Sequence, residues 1–176
     1  MKKLFIMFIL PVMLCAAVCG AYAADLTAFD SALRAGSGTD AGWTGENDGI
    51  FEMQTGLHTV IRLYTDLNSE IIAMEVISSC SLEDDAAETG RELSRTARAA
   101  VIALYEADGL YTDATPEEVN SVLKMLLAPY SGSGEDEGAV MLAGREAVLS
   151  LSVSDSGTVY TLTVGQIPDH GPEASI

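Results

Sequence analysis

Basic residues are scarce in this sequence. Nine lysines and arginines stand against 26 aspartates and glutamates, a formal charge of −17. A surface of that sign repels phosphate backbones and anionic lipid headgroups, which excludes nucleic-acid binding and electrostatic membrane docking. The expected partner is another protein or a cationic species. Histidine is nearly absent, with only His58 and His170. Neither an HExxH pair nor a cysteine–histidine zinc set can be assembled from so few. No serine sits in GxSxG, and neither GxGxxG nor GxxxxGK[ST] occurs, so the usual hydrolase elbow and phosphate cradles are missing. The sequence calls for no cofactor and no metal, and it names no catalytic residue.

Cysteine is short as well. Of Cys15, Cys19 and Cys80, the first two lie in a segment that reads as a secretory signal. Met1-Lys2-Lys3 is positive, Leu4 to Cys19 is apolar, and Ala21-Tyr22-Ala23 offers small residues for cleavage before Ala24. That order of charge, apolar run and small residues defines an export signal. The 16-residue run is shorter than the roughly 20 residues that span a hydrocarbon core, and Pro11 interrupts it. Bulky Leu14 and Val18 precede the two cysteines, which argues against lipidation. The expected product is periplasmic or extracellular, with no integral membrane association after cleavage. Cleavage removes two of the nine bases and none of the 26 acids, so the remaining chain has a net charge of −19. Cys80 is then the sole cysteine. No internal disulfide is possible, and the core must supply the stability.

What is present is periodic hydrophobicity. Residues 25–35 read as a short helix, stopped by Gly36-Ser37-Gly38. A Gly- and Asp-rich loop over 36–49 holds Trp43, which is expected to anchor that loop to the body. Residues 50–54, 58–65 and 70–79 read as a meander of three strands. A three-residue loop after Gln54 puts Phe51 and Met53 on the core face. A turn centred on Leu67-Asn68 sets Leu63 opposite Ile72, Ile61 opposite Met74 and Thr59 opposite Val76. Ser81-Leu82-Glu83-Asp84 resembles a capping box for a long helix to about Asp108, with a stripe of Ala86, Gly90, Leu93, Ala97, Ala100, Val101 and Leu104. Thr115-Pro116-Glu117-Glu118 starts a second helix, which Pro129 ends. Ser131 to Gly138 is an acidic loop. In the last hairpin, a turn at Ser156-Gly157 pairs Val153 with Tyr160, Leu151 with Leu162 and Leu149 with Val164.

The expected architecture is α+β. A signal peptide over 1–23 precedes a single domain over 24–167 and a loose tail over 168–176. The domain has a short N-terminal helix followed by β-β-β-α-α-β-β, a five-stranded antiparallel sheet with helices on one face. This element order resembles the secretion-chaperone-like fold, in which strands before and after a long helix join one sheet. The resemblance implies a fold and carries no functional residue. The functional expectation is a non-catalytic binding or interaction module of accessory, chaperone-like or inhibitor-like kind. Its candidate surface is the sheet face bearing His58, Val60, Arg62 and Tyr64. Two other classes compete with it. One is a carboxylate-based hydrolase, whose acid pair the abundance of acids leaves unlocated. The other is a weak calcium binder using Glu135-Asp136-Glu137 or Glu83-Asp84-Asp85, although neither run has the alternating oxygen pattern of a calcium loop.

Overall fold

A computed structural model describes residues 24–45, 49–127 and 140–168. The expected signal peptide, Pro129, the acidic loop with Glu135-Asp136-Glu137, and the tail beyond Pro168 with His170 lie outside the described residues. The elements run β1 (Ala24–Asp25), α1 (Leu26–Ser37), β2 (Ile50–Gln54), β3 (Thr59–Thr65), β4 (Glu70–Ser81), α2 (Ala86–Ala107), α3 (Thr115–Leu127), β5 (Val140–Leu142), β6 (Arg145–Ser154) and β7 (Gly157–Gly165). The fold is α+β, built on one antiparallel sheet of order β2-β3-β4-β7-β6-β5, with β1 added against β4. The sheet has seven strands rather than the expected five. The additions are β1 and β5, of two and three residues. Pieces that short show no periodicity, and only their backbone pairing identifies them.

The core follows from strand alternation. Met53, Ile61, Val76, Leu162 and Leu149 form one cross-strand row, and Phe51, Leu63, Met74, Val164 and Ala147 form the next. Both rows join one buried cluster with Phe29 and Leu33 of α1, Leu93 to Leu104 of α2, and Val119, Leu123 and Leu126 of α3. The three helices therefore share this face of the sheet. Residues 55–58 join β2 to β3, and the register lies two residues from that of a three-residue loop after Gln54, so Phe51 and Met53 keep the expected face but face Leu63 and Ile61. Trp43 pins its loop to α1: the indole N–H donates to Asp30 Oδ1 at 2.8 Å, and the ring tilts against Phe29 at 6.2 Å.

The other two hairpin registers also differ from expectation by two residues. Leu63 faces Met74, Ile61 faces Val76 and Thr59 faces Ser78. The ladder shifts between Tyr64 and Thr65, leaving Ile72 as an extra residue on β4. Asp66 fixes the tight turn by accepting from the amides of Asn68 and Glu70. In the last hairpin the turn is Asp155-Ser156, so Val153 faces Thr158, Leu151 faces Tyr160 and Leu149 faces Leu162. Gly157 is a strand residue here. A Cβ on it would lie 2.2 Å from the Cys80 carbonyl oxygen, so only glycine permits that approach of β7 to β4. A slip of two conserves the face of every side chain, which is why the buried set is nearly as expected.

Helix α2 starts later than the capping-box pattern implies. Ser81 still belongs to β4, and Asp85 caps the helix by accepting from the Ala87 amide. The first-turn face shifts accordingly: Ala86 and Gly90 are exposed, while Thr89 and Thr96 are buried. Thr89 Oγ1 is buried with no hydrogen-bond partner among the described residues. An unpaired buried hydroxyl is destabilising. Thr89→Val keeps the shape and removes that hydroxyl at nearly equal helix propensity. It is expected to stabilise the protein by about 1 kcal/mol in denaturant unfolding; a lower midpoint would mean that the hydroxyl has a partner.

Candidate binding face

The candidate face is the side of the sheet turned away from the helices. Strand alternation sends Val60, Arg62 and Tyr64 of β3 to it. Arg62 lies directly between Glu52 of β2 and Glu75 of β4 in the ladder. Its Nε donates to Glu52 Oε1 at 2.6 Å, and an Nη donates to Glu75 Oε2 at 3.2 Å. The Tyr64 hydroxyl donates to the same Glu75 oxygen at 2.8 Å. Four side chains on three strands thus form one charge-assisted network. Burial works against the Arg62 charge, yet hydrogen bonds to Glu52 and Tyr64 outweigh it and raise its pKa. Burial, together with the bond to Glu75, holds the Tyr64 phenol above its ordinary value.

Accessibility divides the expected site. Val60 is half-buried and the Arg62 side chain is 35% exposed, but Tyr64 is only 7% exposed. Tyr64 therefore orders the face rather than offering itself for contact. His58 stands apart from the other three. It precedes β3, its amide donates to Glu92 Oε1 of α2, and its Nδ1 lies 3.6 Å from Asp84 Oδ2. Asp84 in turn accepts from the Ser81 amide at 2.7 Å. This backbone bond, with help from the Ser81 side chain and the nearby imidazole, lowers the Asp84 pKa. Glu52 and Glu75 are the residues that the sequence reading missed. A three-residue loop after Gln54 puts Glu52 opposite Val60, and only the observed register, two residues away, brings it to Arg62. Glu75 was hidden by the register shift, since a turn centred on Leu67-Asn68 puts Ala73 there instead.

The open face is otherwise apolar and hydroxylic. Ile77, Thr161, Thr163, Val148 and Val159 share it by register, with Val148 and Val159 each 37% exposed. Among the described residues, no group of three histidine, cysteine or acidic side chains is placed to hold a metal ion. Within Glu83-Asp84-Asp85, the last two carboxylates are engaged in capping and turn bonds. A small gap between α2, α3 and the β6–β7 hairpin is lined by Leu93, Ala97, Leu123, Leu126, Leu127, Leu149 and Leu162. It offers no acid, base or nucleophile. No described helix is long and apolar enough to cross a membrane. Cys80 is a half-buried free thiol at the end of β4.

Comparison of the chain with family models, curated proteins and solved structures finds no match. The secretion-chaperone-like resemblance therefore stays at the level of element order.

The Tyr64 shift has a testable sign. A phenol whose folded pKa exceeds its unfolded value adds stability that is complete below the unfolded value of about 10. That stability is lost as pH rises through the folded pKa. The parent protein is expected to lose more stability than Tyr64→Phe between pH 9 and about 11, measured by urea unfolding. Parallel pH profiles would contradict the network.

Proposed function

We propose that the chain is an exported, non-catalytic binding protein that receives a protein partner on the open face of its sheet. One observation carries this reading: the helices share one face of a seven-stranded sheet, and the other face is left uncovered by them. That face presents half-buried or partly exposed Val60, Ile77, Val148 and Val159 around a hydrogen-bonded Glu52–Arg62–Glu75 row. Apolar side chains around a few fixed polar groups suit a docking surface, because the aliphatics contribute desolvation and the polar groups set register. The two carboxylates of the row share one guanidinium. That arrangement suits orientation rather than acid–base chemistry, which requires one carboxylate to hold a proton at working pH. The expected export signal accounts for the compartment.

Affinity capture from the periplasmic and culture fractions tests the reading, with the parent and the Val148→Arg/Val159→Arg variant as baits. Truncating Tyr64 does not test this surface, since its side chain is buried. The parent is expected to retain a defined protein partner. The variant is expected to lose it by at least tenfold while its thermal midpoint stays within a few degrees of the parent. Equal capture by both baits would reject the open face.

A further inference from the structure

We propose a second docking site at one end of the sheet, for a cationic amphipathic peptide segment. The proposal rests on reading the chain as a binding protein but uses a different surface. Three loops meet at this end. The β2–β3 loop joins it because the Ser79 amide donates to the His58 carbonyl at 2.9 Å. The β4–α2 loop follows Ser81, which pairs with Gly157, and Gly157 pairs with Ser154 at the β6–β7 turn. Each loop or its flank presents one large aliphatic to solvent: Leu57 at 85%, Leu82 at 80% and Val153 at 71% exposure. A lone exposed aliphatic is ordinary. Leu57 precedes β3, Leu82 follows β4 and Val153 lies near the end of β6, and the sheet order puts β3 and β6 about 15 Å apart at the usual strand spacing.

Charge selects the occupant. The same loops carry Glu83, Asp84, Asp85 and Asp155, and His58 is their only titratable base. Acids interleaved with exposed aliphatics disfavour an anionic membrane and a second copy of this acidic chain. They favour a segment with lysine or arginine on one face and leucine-like residues on the other. Such a segment buries apolar area against Leu57, Leu82 and Val153 while its cations meet the carboxylates.

The test is calorimetry of the purified protein with three synthetic helical peptides of equal length: lysine/leucine amphipathic, lysine/serine and glutamate/leucine. The lysine/leucine peptide is expected to bind, with affinity falling at least tenfold between 50 and about 500 mM salt. Leu82→Ser/Val153→Ser is expected to weaken it tenfold or more, and so is Glu83→Gln/Asp155→Asn. Both variants change exposed positions, so unchanged thermal midpoints are expected with them. The proposal is overturned by no binding, by undiminished binding to the leucine/valine variant, or by equal binding of the lysine/serine peptide. Co-sedimentation of the protein with phosphatidylcholine vesicles through Leu82 and Val153 would assign the aliphatics to a membrane and also overturn it. Loss only in Val148→Arg/Val159→Arg would move the peptide to the open face. That result overturns this site but leaves the binding-protein reading standing.

Discussion

Arg145 enters the fold as the first residue of β6, yet its guanidinium is turned inward and only 8% exposed. Both its Nη groups donate to the carboxylate of Asp108, the residue that ends α2, whose side chain is fully shielded from solvent. The same guanidinium donates to the carbonyls of Ala143 in the β5–β6 turn and Ile71 in β4. One cation thereby ties the long helix, a central strand and the last hairpin at a single end of the sheet. Removing two opposite charges from water is costly, and a forked pair recovers that cost only when its remaining donors are also satisfied. Here the two carbonyls take part of that role. With no disulfide available to the described residues, this buried ion pair is a strong polar constraint on how α2 lies on the sheet.

The rest of the architecture follows from that arrangement. α2 runs from the three-loop end, where Asp85 caps it, to the Asp108–Arg145 end. Its buried side, Leu93 to Leu104, closes one face of the sheet together with α1 and α3. The opposite face then remains for the Glu52–Arg62–Glu75 row and its aliphatic neighbours. At the capped end, Glu92 of α2 accepts from the His58 amide, yet Leu57, Leu82 and Val153 stay in solvent. The two proposed surfaces are therefore the parts of the sheet that the helices and the buried ion pair do not close.

Much of this was legible from hydrophobic period. Strand faces and helix stripes come from alternation and from turn residues, and they describe the core nearly residue by residue. Partners across the sheet were less legible. A period of two cannot distinguish a register from its neighbour two residues away. The shift at Tyr64/Thr65 and the turn at Asp155-Ser156 therefore escaped, and with them the contact of Arg62 with Glu75. The start of α2 was ambiguous because Ser81, Asp84 and Asp85 are all competent capping residues. Backbone pairing kept Ser81 in β4 and left the cap to Asp85. Of the candidate site, Val60, Arg62 and Tyr64 do share a face, while His58 belongs to the loop that meets α2. The Asp108–Arg145 pair had no sequence signal at all, since the partners are separated by 37 residues and an acid and a base at such a distance form no pattern.

The central claim is that this buried pair holds α2 to the sheet. A double-mutant cycle in denaturant unfolding tests it most directly, with Asp108→Leu, Arg145→Met and the double variant. Each single variant is expected to lose about 3–5 kcal/mol by stranding a buried charge, while the double variant recovers most of that loss. Single variants within about 0.5 kcal/mol of the parent, or losses that simply add in the double variant, would contradict the account.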